Sequence, residues 1–135
     1  MRNTKISRNL SSIIIILICI LLISGFFYNV KYIKLLEGNG FVGSGRDIIN
    51  IYDNNRDIDI VLRSIKNGNR ADLNLVDFAK VDYFLEITYL FNTHQGYYLI
   101  LDRKGKAALF IKANDLNTGF EVQKDEYDHL MDIIQ

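Results

Sequence analysis

Apolar and polar positions divide the chain into an N-terminal block with no polar stripe and a longer remainder of shorter periods. From Ile13 to Ile23 the apolar run is unbroken, and Ser24 and Gly25 interrupt it only briefly before Phe26, Phe27 and Tyr28. The stretch IIIILICILLISGFFYNV approaches the roughly 17–25 residues that a membrane-spanning helix needs. A buried core helix would keep a polar stripe, and this segment has none. Arg2, Lys5 and Arg8 precede it without an acid. By the positive-inside rule they place the N-terminus in the cytoplasm and everything after Val30 outside it.

A cleaved signal would carry a shorter apolar core ending in small residues. Here the only small pair is Ser24-Gly25, with bulky Ile23 before it and an aromatic group after it. Cys19 follows Ile18, where a lipoprotein signal needs a small residue. The expectation is therefore an uncleaved signal anchor in a bacterial inner membrane. Residues 1–12 are read as a cytoplasmic basic tail, 13–30 as the transmembrane anchor, 31–46 as a stalk and glycine-rich linker, and 47–135 as a periplasmic domain.

The remainder reads as short strands. Ile49 and Ile51, then Ile58, Ile60 and Leu62, alternate around the turn-prone Asp53–Asp57, which favours a hairpin. A helix competes for the same residues, because Ile58, Val61, Leu62 and Ile65 also fit helical spacing. Ala71–Lys80 has no readable period. Val81, Tyr83, Leu85, Ile87, Tyr89 and Phe91 alternate with polar residues and end in a turn at Asn92–Gly96. Tyr97–Leu101 and Ala107–Ile111 flank Asp102-Arg103-Lys104-Gly105, a strong hairpin signal. Phe120–Val122 suits a short strand, and Tyr127, Leu130, Met131 and Ile134 line one face of a C-terminal helix. The predicted fold class is α+β: an N-terminal transmembrane helix, then a small antiparallel β-meander domain with a C-terminal helix.

Charge narrows the partners. Three of the 16 basic residues lie in the N-terminal tail, which leaves 13 against 16 acids and a net charge of about −3. That balance argues against nucleic acid, which demands a basic surface. The single cysteine, Cys19, sits in the apolar block, so the domain has no internal disulfide and relies on its core.

Motifs carry little chemistry. Gly38-Asn39-Gly40-Phe41-Val42-Gly43 matches GxGxxG without the strand–turn–helix context that dinucleotide binding requires. Asp53–Asp59 resembles the start of a calcium loop, but Ile58 replaces the glycine and Ser64 the glutamate. His94 and His129 lack zinc-site spacing. Ser44 and Ser64 lack the context of a nucleophile elbow. Glu86 and Glu121 are conceivable paired carboxylates, although Glu86 lies on an ordinary alternating strand. The reading is a protein that is not an enzyme and takes no metal and no cofactor. Aromatic side chains with polar tips on the predicted sheet suggest a binding face, with Tyr97, Tyr98, Asp102 and Glu86 as the partner-binding candidates.

The anchor-plus-domain layout is similar to two groups of bacterial proteins. One comprises membrane-anchored immunity proteins, which neutralise a toxin or bacteriocin. The other comprises periplasmic accessory subunits of membrane-bound transcription regulators or secretion components, in which a lipophilic ligand is conceivable. The first implies a toxin as partner and inhibition by occlusion; the second implies a membrane regulator.

Overall fold

A computed structural model describes residues 12–20, 29–38, 46–74 and 76–135. Helix α1 covers residues 12–20. It is followed by β1 (Val30–Glu37), β2 (Ile48–Tyr52), α2 (Asn55–Lys66), β3 (Asn69–Arg70), a 3-10 turn (Phe78–Lys80), β4 (Tyr83–Tyr89), β5 (His94–Asp102), β6 (Ala107–Lys112), β7 (Gly119–Glu121) and α3 (Lys124–Ile134). The strands form one antiparallel sheet in the order β2-β1-β4-β5-β6-β7-β3.

Period-two alternation decides which side of the sheet each side chain takes. Ile33 and Leu35 of β1, Leu85 and Ile87 of β4, Tyr97 and Leu99 of β5, and Ala108 and Phe110 of β6 face one way. On this inner face, α2 contributes Ile58, Val61 and Ile65, and α3 contributes Tyr127, Leu130, Met131 and Ile134. The outer face carries a smaller core of Val81, Tyr98 and Ile111, joined by Leu73, Val76, Phe84, Ile100 and Leu109. Residues 71–74 and 76–80 form a strap across that face, between the β3 edge and the start of β4.

The predicted fold class is corrected at its N-terminal half. Residues 12–20 are helical. Among the described residues no helix is long and apolar enough to cross a membrane. Residues 21–28 of the proposed anchor lie outside the described residues, and Val30 already opens a strand. The first residues read as a stalk lie in β1, which pairs with both β2 and β4 and buries Ile33 and Leu35 completely. A membrane-anchored, periplasmic placement thus loses the observation on which it rested. The GxGxxG match falls mostly on residues 39–43, outside the described residues; Gly38 closes β1, where a Cβ would collide with the Val81 carbonyl oxygen.

The second correction concerns Ile58–Ile65, expected as a strand and found within α2. Asn54 settles the competition locally. Its side chain accepts the Asp57 amide at 2.9 Å and donates to the Asp57 carboxylate at 2.7 Å, which caps the helix at its first turn. With the helix started, Ile58, Val61 and Ile65 fall on one buried face while Arg56, Asp59 and Arg63 stay outward. The segment that resembled a calcium loop is therefore a helix start. The sheet is not a simple meander either, since β1 inserts between β2 and β4 and α2 links the two opposite edge strands.

Candidate functional site

The outer face holds a groove of about 480 Å³ between the strap and strands β5, β6 and β7. Three adjacent strands build its floor in register. Ile100 lies opposite Leu109 and Leu109 opposite Glu121, while Asp102 lies opposite Ala107. Directly opposed residues stand about 5 Å apart, so these side chains form a continuous surface. Ala71 and Val76 of the strap cover one side. The space exists because Ala107 and Ala71 are small where a bulkier residue would fill it.

The strap is fixed at both ends by backbone bonds. The Ala71 amide donates to the Gly119 carbonyl at 3.0 Å, and the Asp82 amide donates to the Leu99 carbonyl at 3.0 Å. Asp82 adds a carboxylate bond to the Leu101 amide at 2.7 Å. Gly119 allows the strap to approach closely, since a Cβ there would sit 2.7 Å from a Leu73 methyl group.

Four carboxylates and one amine line the groove: Asp72, Asp77, Asp102, Glu121 and Lys80. Three of the acids serve the local backbone. Asp72 accepts the Asn74 amide at 3.1 Å, Asp77 the Ala79 amide at 3.1 Å, and Asp102 the Lys104 and Gly105 amides at 3.1 and 3.0 Å. Lys80 stands 3.6 Å from Asp77. The Glu121 carboxylate makes no hydrogen bond or ion pair among the described residues, although its backbone is held between β6 and β3. Among the described residues no three His, Cys, Asp or Glu side chains converge to hold a metal ion. The acids are thus spread around the rim rather than gathered at one point.

The four residues singled out in the sequence are not brought together. Tyr97 and Tyr98 are consecutive and point to opposite faces. Tyr97 packs edge-on against Phe110 in the inner core, and Tyr98 packs edge-on against Phe84 on the outer face, beneath the Arg46 guanidinium. Both are at least 91% buried. Burial also pushes the Tyr97 phenol up from its ordinary value. Glu86 and Asp102 share the outer face but sit at opposite ends of β5, since Glu86 pairs with Gly96. Six residues at about 3.4 Å each put roughly 20 Å between them. Only Asp102 lies in the groove.

Glu86 belongs to a separate polar cluster with Lys34 at 3.3 Å and His94 at 3.8 Å. Thr88 Oγ1 and His94 Nδ1 are 3.1 Å apart. His129 instead stands 3.9 Å from Glu126 on α3. Sequence reasoning missed Asp72, Asp77 and Lys80, which lie in the strap that showed no period. The legible signal was the alanine at position 107, a small residue on a strand otherwise rich in bulky ones.

No protein-family model and no curated protein matches this chain. Its structure is similar to the crystal structure of a thioesterase-like protein from Clostridium sporogenes, at 14% identity and a TM-score of 0.57, over 79% of this chain and 95% of that one. That likeness shows the fold, an antiparallel sheet wrapped on its helices in the thioesterase-like, or hotdog, manner. It overturns the expected anchored meander, and with no spanning helix among the described residues nothing here supports an immunity or bacteriocin-resistance role. The expectation that the chain is not an enzyme no longer stands on its fold, which a thioesterase-like protein also has.

Proposed function

We propose that the chain is a hydrolase acting on acyl thioesters or esters, with the outer-face groove as its active site. The observation that carries this reading is Glu121, an uncommitted carboxylate in register with the apolar floor of Leu109 and Ile100. The structural neighbour, a thioesterase-like protein, supports the reaction class.

In this reading the acyl chain lies on Ile100, Leu109 and Val76, and a water sits between the ester carbonyl and Glu121. Glu121 takes a proton from that water as general base, within the range of catalysis that a positioned carboxylate supplies. The water oxygen bonds to the carbonyl carbon, the carbon–sulfur or carbon–oxygen bond breaks, and the proton passes to the departing thiolate or alkoxide. In the same reading Lys80, which also lines the groove, offsets charge developing on the carbonyl oxygen. Among the described residues no serine, cysteine or histidine lines the groove, and in this reading water is the nucleophile.

The test is hydrolysis of a neutral short-chain thioester, butyryl-N-acetylcysteamine, by the wild-type chain and by Glu121→Gln. Glu121 has an exposed side chain, so the amide variant is expected to fold. Turnover above background that falls by about 100-fold or more in the variant is the expected result. Equal rates in both proteins would remove Glu121 from the mechanism, and no turnover in either would end the hydrolase reading.

A further inference from the structure

One row of residues crosses the groove floor at right angles to the strands. Glu121 of β7 lies opposite Leu109 of β6, and Leu109 lies opposite Ile100 of β5. On the far side comes β4, whose Tyr83 lies opposite Leu99. Asp82, just before Tyr83, sets its carboxylate on the Leu101 amide at 2.7 Å, beside Ile100. The row therefore begins and ends on a carboxylate, with Leu109 and Ile100 between them. Both of these pack in the outer-face core together with Val76 of the strap. Lys80, two residues before Asp82, also lines the groove and stands 3.6 Å from Asp77, so the boundary past Ile100 is charged in both signs.

Strand spacing fixes the length of this row. Three steps of about 4.8 Å put the backbones of Glu121 and Asp82 roughly 14 Å apart. A water bonded to Glu121 and its approach to the carbonyl carbon take up about 6 Å of that. The remaining ~8 Å is the room for the acyl chain. An extended chain gains about 1.2 Å per bond, since a residue of three backbone bonds spans at most ~3.6 Å. The room is thus about seven bonds long. Each methylene laid on Leu109 and Ile100 leaves water and adds affinity. A methylene carried past Ile100 meets the Asp82 carboxylate, and stripping water from that charge costs more than the methylene gains.

We propose that the groove selects acyl groups of about six to eight carbons, with Asp82 setting the upper limit. The acyl ester as ligand rests on the hydrolase reading; the length limit rests on the row itself. Asp82 touches neither the water nor the ester bond, and it acts on specificity alone.

Acyl-N-acetylcysteamines from acetyl to dodecanoyl, each held below its micellar concentration, test it through kcat/KM. Values should rise about twofold to fourfold per added carbon as far as hexanoyl or octanoyl, and stop rising by decanoyl. Asp82→Asn keeps an acceptor for the Leu101 amide and removes the charge, and should carry the rise on to decanoyl. Ile100→Phe shortens the row from within and should move the best substrate to butyryl or shorter. A rise that continues through dodecanoyl in the wild type, or rates indifferent to length, would overturn the proposal. So would a limit that Asp82→Asn leaves in place, or a best substrate that Ile100→Phe does not shorten. If no thioester is hydrolysed, the hydrolase reading falls by itself. Calorimetric binding of the n-alcohols from butanol to dodecanol then decides the length limit: affinity that levels off by decanol sustains it, and affinity that climbs steadily or ignores length overturns it.

Discussion

The Tyr52 hydroxyl donates a 2.8 Å hydrogen bond to the Ile133 carbonyl, 81 residues further along the chain. This bond ties the last residue of the edge strand β2 to the final turn of α3, where backbone carbonyls have no helical partner. It closes the inner core at the one place where strand edge and helix end meet. Tyr52→Phe should keep the packed ring and lose about 1 kcal/mol, a fall of roughly 3–5 °C in melting temperature. Thermal unfolding followed by circular dichroism measures it, and an unchanged midpoint would show that the bond contributes nothing net.

Alkaline titration offers a second check. Burial pushes the phenols of both Tyr52 and Tyr97 above the ordinary tyrosine value of 10.0, and the nearby Asp57 charge adds to the effect at Tyr52. A folded-state value raised above the unfolded one gives stability that is complete below pH 10 and is lost as pH rises through the raised values. Tyrosinate absorbance should therefore show Tyr52 and Tyr97 ionising late, together with unfolding. Simple titration of all eight tyrosines near pH 10 would contradict the burial.

Gly96 tests the packing of the outer face. A Cβ there would sit 2.5 Å from Phe84 Cζ and 3.1 Å from the Ala113 methyl. The Phe84 ring cannot swing aside freely, because Tyr98 stacks edge-on against it at 5.2 Å and the Arg46 guanidinium lies 4.5 Å above it. Gly96→Ala is expected to cost about 1–3 kcal/mol through overpacking, read as a lower denaturant midpoint at unchanged slope.

The groove can be closed without touching its carboxylates. Ala107→Leu places a branched side chain opposite Asp102, where the outer face has room. The fold should persist, with a melting temperature within a few degrees of wild type. Turnover of butyryl-N-acetylcysteamine should fall at least about tenfold, since a side chain then occupies the acyl space. Full activity in the filled variant would place the active site elsewhere.

The cap on α2 gives a local stability test. Asn54→Ala removes both the acceptor for the Asp57 amide and the donor to its carboxylate, at a cost of about 1 kcal/mol. Asn54→Ser keeps the acceptor for the Asp57 amide without setting a second carboxylate against that of Asp57, and should recover much of that loss. Chemical denaturation of the three proteins measures the series.

Elements whose evidence is local were legible in the sequence. The alternation of Tyr83–Tyr89, the Asp102–Gly105 turn and the one-sided apolar face of Lys124–Ile134 all correspond to elements of the structure. Two neighbouring side chains or one turn of backbone set each of these patterns. Ile58–Ile65 satisfies both periods, and the cap at Asn54 tips it to helix. The apolar run at Ile13–Ile23 fixed only a composition. It could not foretell that Val30–Glu37 leaves helical geometry and enters the sheet, because the partners that pay for the strand, Tyr83–Tyr89 and Ile48–Tyr52, lie far along the chain. The groove is non-local in the same sense. Glu121, Leu109 and Ile100 come from three strands, and Asp72 and Asp77 from a strap with no period of its own. Sequence alone determined which residues prefer strand, turn or helix. Tertiary structure decided which carboxylates share one cavity, because that depends on strand order and on long-range closure, which no short window of residues contains.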